Sequence, residues 1–170
     1  GARMATPFFI IYTGEQLQLD GITLGLLSLA YLGADTLANL LWGYLGDKTG
    51  FRFVLILAIG VWLGAIGLLI VSATLVPIFI GFCGLGAGES GYRMGAQTII
   101  LEFGSRDDMP MRIAAATTAE ATTASAGPLL GGVLADQFGF VTVFSIAGML
   151  LVGALALLFI VIREPRTSDP

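Results

Sequence analysis

Histidine is absent from this 170-residue chain, cysteine occurs once, and charged residues fill only 12% of positions. With Cys83 as the single thiol, no internal disulfide can form. Without histidine or a cysteine cluster the ordinary protein metal sites cannot be assembled, and neither a metal nor a cofactor is expected. Soluble domains carry roughly 25% charged residues, so the polar cover here is about half the usual amount.

The gaps between charges are long. Residues 53–88 form a charge-free run of 36, and residues 137–162 another of 26. A helix needs roughly 20 apolar residues to cross the hydrocarbon core of a bilayer, so each run is long enough to span. What is present is apolar: 56% hydrophobic residues and a mean hydropathy of +0.90. These values point to an integral, multi-pass membrane protein. The net charge of −4 says less than where the charges sit.

Apolar runs set against punctuation predict one partial and five full helices, over residues 4–13, 22–46, 53–71, 77–103, 111–135 and 140–162. Pro77 suits a first helical turn. Sustained alternation of period two is missing, and open strand edges cannot sit in lipid. The fold class is therefore all-α. The opening "GARMATPFFIIYTGEQ" shows no signal peptide and is too short to cross. It reads as the surviving end of a longer helix, and the chain as a fragment.

Orientation follows from the basic residues. Lys48 and Arg52, Arg106 and Arg112, and Arg163 and Arg166 all fall on alternate turns, hence on one side. The opposite turns hold Glu15, Asp20 and Asp136 and no basic residue. The C-terminus is expected to be cytoplasmic, with the plasma membrane as location. "GYLGDKTG" (43–50) and "GVLADQFG" (132–139) share G-x-L-x-D-x-x-G at a displacement of 89 residues. They end helices on opposite sides, as an inverted three-plus-three repeat would.

These residues resemble a known family. "GYLGDKTGFRFVL" resembles the loop signature of the major facilitator superfamily, matched at Gly43, Leu45, Asp47, Lys48, Gly50 and Arg52. Residues 101–144, followed by "VIREPR", are similar to the last two helices of bacterial permeases of that superfamily. The resemblance covers essentially the whole chain. It implies the carboxy-terminal six-helix half, helices seven to twelve, of a twelve-helix secondary transporter whose amino-terminal half is absent. Its partners would be a small-molecule solute, with or without protons, the bilayer and the other half, and no nucleic acid. The superfamily's antiporter signature G-x-x-x-G-P-x-x-G-G has Thr123 in place of its first glycine, so antiport is not supported.

Charges inside a membrane are expensive and face a bundle interior or a water-filled cavity. Asp35, Glu89, Arg93 and Glu120 lie well inside the second, fourth and fifth helices, while the third and sixth have no charge there. The second, fourth and fifth should then line a polar path, with the third and sixth packed outside against lipid. Ser28, Tyr31, Asp35 and Asn39 share one helical face; so do Glu89, Arg93 and Gln97, and Thr117, Glu120 and Thr123. Glu89 and Arg93 are in the favourable order for an i,i+4 pair. An unpaired carboxyl in low dielectric keeps its proton to higher pH. Asp35 and Glu120 are accordingly candidate proton carriers, and Arg93 a candidate anchor for an anionic group. The alternative is a static ion pair between helices.

Gly84/Gly88 and Gly91/Gly95 are small-xxx-small pairs that allow close helix approach. Residues 86–91 also match G-x-G-x-x-G, but no strand precedes them, so a dinucleotide site is not expected. Asp47 ends a helix at its unfavourable end. It needs Lys48, Arg52 or the start of the fifth helix as partner, a contact suited to a conformational latch. An intramembrane aspartyl protease is a poor fit, because Asp35 and Asp47 lie about 18 Å apart along one helix at ~1.5 Å per residue. A non-transporting receptor or scaffold of the same fold is the remaining competitor.

Overall fold

The computed structural model describes residues 5–102 and 108–161. They form six helices: α1 (Thr6–Leu17), α2 (Gly21–Thr49), α3 (Phe51–Val71), α4 (Leu75–Glu102), α5 (Met109–Phe138) and α6 (Phe140–Val161). No strand occurs among the described residues. Arg3, Arg106, Arg163 and Arg166 lie outside them, as do the predicted helix ends at Phe103 and Ile162.

Three helices, α2, α3 and α6, are long and apolar enough to cross a membrane. The sequence predicts five full spans. α4 and α5 have the length, at 28 and 30 residues, but their Glu89, Arg93, Thr and Ser residues lower the apolarity. At ~1.5 Å per residue these helices reach over 40 Å, beyond the ~30 Å hydrocarbon core.

The boundaries follow local chemistry. Pro7 and Pro110 stand in the first turns of α1 and α5, where a missing N–H costs nothing. The Asp20 carboxylate caps α2 by accepting from Thr23 N–H at 3.2 Å and from the Thr23 hydroxyl. Those bonds hold its carboxyl below the usual carboxylate range. α2 runs past its predicted end at residue 46 because "GYLGDKT" stays helical up to Gly50. There φ turns positive, at 90°, and the Gly50 N–H closes onto Gly46 O at 2.9 Å. Gly139 stops α5 in the same way, with φ 82° and its N–H on Ala135 O at 2.9 Å. Only glycine adopts this backbone without strain. The two copies of G-x-L-x-D-x-x-G are thus the same helix stop.

α3 carries the largest buried set, including Val54, Leu55, Ala58, Ile59, Trp62 and Ile66, and packs against α4, α6 and α2. Its other face, Phe53, Leu57, Gly60, Gly64, Gly67 and Val71, is exposed and apolar, as a lipid-facing stripe should be. α3 is therefore both outer wall and main core helix, because the uncharged helix has apolar side chains to offer on both sides. α1 docks through aromatic rings, with Phe9 stacked on Phe144 at 4.1 Å.

α4 approaches α2 and α3 closely through glycines. A Cβ at Gly86 would lie 2.1 Å from the Tyr31 carbonyl oxygen of α2, and one at Gly88 2.9 Å from the Trp62 nitrogen of α3. Gly84, Gly91 and Gly95 also meet α3. Both predicted small-residue pairs are seated on that helix.

Candidate functional site

The close approach at Gly86 lets two polar rungs form between α2 and α4. Tyr31 donates its hydroxyl to Glu89 Oε2 at 2.6 Å. One turn further on, Arg93 donates through Nη2 to Asp35 Oδ1 and Oδ2 at 2.8 and 3.1 Å. Both rungs join residues 58 apart, which is the register of two parallel helices with the same i,i+4 spacing. The polar stripes of the two helices thus face each other, and α2 turns its leucines (Leu29, Leu37, Leu40 and Leu41) outward.

Asp35 is therefore a paired carboxylate and not an unpaired one, because the parallel register brings Arg93 opposite it. The seam is graded in exposure. Glu89 is 8% exposed, while Asp35 and Arg93 are 21% and 38% exposed. Asn39 donates to the Asp35 backbone oxygen at 2.9 Å, and Gln97 is exposed at the far end of its stripe.

Glu120 is placed differently. It lies half-buried on the inward face of α5 with Ala116, Gly127 and Gly131, while Thr117 and Thr123 are exposed. Among the described residues it makes no hydrogen bond or ion pair, so nothing joins it to the α2–α4 seam. Met111, Ala114, Ala115, Thr118, Ala119 and Thr122, all exposed on α5, border a wide-open hollow of about 800 Å³ that Glu120 does not line. The hydroxyls of Thr118 and Thr122 donate to carbonyls one turn back, at 2.7 and 2.8 Å. That leaves methyls and oxygen lone pairs to face the hollow.

The basic residues of the loop motif separate. Lys48 donates to Tyr44 OH and stands 4.3 Å over that ring. Arg52 reaches α6, with Nη2 3.5 Å from Leu158 O. Two further groups belong to the seam region. Trp42 donates Nε1–H to Ala87 O at 2.8 Å, and Ser90 is fully buried with its hydroxyl unpartnered. Trp42 was open to sequence reasoning, since it extends the stripe of Ser28, Tyr31, Asp35 and Asn39 by one more step of three. Ser90 offers no such signal.

The profile of the Major Facilitator Superfamily matches residues 1–170. The chain is similar to multidrug resistance protein MdtG of Salmonella choleraesuis, 29% identical over 167 residues, covering 95% of this chain and 41% of that protein. The same-named protein of Serratia proteamaculans is 27% identical over 133 residues, covering 78% and 32%. That of Yersinia enterocolitica is 27% identical over 123, covering 72% and 30%. The chain therefore spans at most about two fifths of these relatives, 41% in the longest of these matches. Helix content, spans, repeated helix stop and profile agree: the chain belongs to the Major Facilitator Superfamily.

Proposed function

We propose that this chain is the carboxy-terminal six-helix half, helices seven to twelve, of a secondary transporter working by alternating access. An amino-terminal half supplies the other wall of the path. The relatives are named for multidrug resistance, and drugs are accordingly the proposed solute class. The positive-inside bias supports a cytoplasmic C-terminus in the plasma membrane.

The observation that carries the reading is the seam of Tyr31–Glu89 and Asp35–Arg93 inside an apolar bundle. Such charges are retained in a membrane where a pathway uses them. A proton arriving on Asp35 removes its charge and releases Arg93, weakening the α2–α4 contact at the height of the seam. Arg93 is then free to hold an anionic group, and α2 and α4 can part or tilt. Glu120, without a partner among the described residues, is the second proton carrier. Asn39 and Gln97 extend the same polar faces towards the solute. Asp47 of the Gly43–Arg52 loop motif, with Gly50 as its helix stop, acts as latch against the start of α5.

The test is drug susceptibility of a host lacking its own exporters and carrying the full-length protein. Resistance to some drugs, lost in Asp35→Asn and Arg93→Gln at equal expression, is the expected result. Drug binding without any resistance or flux would instead make the protein a receptor of this fold.

A further inference from the structure

A second site lies on the outer side of the bundle, away from the seam. Leu55 and Ile59 of α3, Tyr92 and Ala96 of α4, and Ala154 and Leu157 of α6 line an apolar groove of about 420 Å³. Its floor is closed by the buried Leu55 and Ile59, and Leu157 forms an exposed rim. Arg52 stands at one end. It precedes Leu55 by three residues and Ile59 by seven, so it shares their face of α3.

Arg52 is under-satisfied. A guanidinium has five N–H donors. The contact of Nη2 with Leu158 O is long, at 3.5 Å, and the buried Nε has no partner. Leu158 also borders the groove, so the weakly bonded cation sits over the groove's end. Leaving a buried charged donor without an acceptor is costly. An anionic group on a molecule that also fills the apolar groove would supply the acceptor.

We propose that the groove is a binding site for an anionic phospholipid, with its phosphate on Arg52 and one acyl chain along Leu55, Ile59 and Ala154. Arg52 lies at the α2–α3 turn, hence at headgroup depth, and the groove runs from there towards the bilayer centre. A basic group beside a cleft between spanning helices is the recognised form of such sites on the cytoplasmic leaflet. This lipid is structural or modulatory and distinct from the transported solute, so its binding is read without any transport assay.

The test titrates the full-length protein in detergent with phosphatidylglycerol or phosphatidylcholine, counting bound lipids by native mass spectrometry. Phosphatidylglycerol should bind more tightly, and Arg52→Gln should weaken it about fivefold, the value of one basic residue at an anionic surface. Ala154→Phe, which fills the groove while keeping Arg52, should displace both lipids. Equal phosphatidylglycerol binding in wild type and Arg52→Gln would overturn the proposal. A photoreactive acyl-chain phosphatidylglycerol on the unaltered protein reads the same site should a variant misfold. Labels at Tyr92–Ala96 and Ala154–Leu158 are expected, and labels confined to the outer leucines of α2 would overturn it.

Discussion

Arg93 of α4 places Nη2 2.8 Å from Asp35 Oδ1 of α2, and Tyr31 and Glu89 repeat the crossing one turn away at 2.6 Å. Two rungs at a common offset make the helix pair a unit.

Removing one partner of a buried ion pair costs about 3–5 kcal/mol, and this partly exposed pair should cost about 1–3 kcal/mol. Asp35→Asn and Arg93→Gln should each lower the thermal stability of the full-length protein by that amount. The double variant should lose less than the sum, because no charge is left stranded. Additive losses in a denaturation cycle would show that the two residues do not act as a pair.

Gly86 should be the least replaceable position of α4. A methyl group there would lie 2.1 Å from the Tyr31 carbonyl, backbone that cannot rotate away. Gly86→Ala should cost about 1–3 kcal/mol by overpacking and should open the seam. Gly33→Ala, on α2 with nothing within 4 Å of the added carbon, should be neutral or slightly stabilising. Equal stabilities of the two variants would contradict the close approach.

The repeated helix-end motif, the close-approach glycines of α4 and the four intramembrane charges were legible in the sequence. They depend on local backbone chemistry or on the rarity of charge in apolar surroundings. The stop at Gly50, four residues past the predicted end, and the choice of α3 as the glycines' main seat were not legible. Nor was the partner of Arg93. Spacing within α4 pointed to Glu89, four residues away, while Asp35 becomes opposite only once α2 and α4 lie parallel in register. The destination of Arg52 was hidden for the same reason: its contact is on α6, 106 residues away. Periodicity shows which face a residue occupies, but the facing helix is decided by packing.

Asp20 offers a pH-dependent reading outside the spans. Its carboxyl is held low by Thr23, so the charged cap stabilises the start of α2 above the ordinary aspartate range and is lost as pH falls through the lowered value. Protection of the Thr23 amide, taken relative to its intrinsic exchange rate at each pH, should be high near neutrality, fall in strong acid, and be low at every pH in Asp20→Ala. A Thr23 amide equally protected in that variant would remove the cap from the account.

The most direct measurement is solute flux in proteoliposomes containing the full-length protein, with and without a pH gradient, for wild type, Asp35→Asn and Glu120→Gln. The account predicts that the wild type gains flux from the gradient. Asp35→Asn should keep solute exchange but lose that gain, because its side chain can no longer give up Arg93 by taking a proton. A double variant, Asp35→Asn with Glu120→Gln, that is driven by the gradient as strongly as the wild type would contradict the role assigned to the seam.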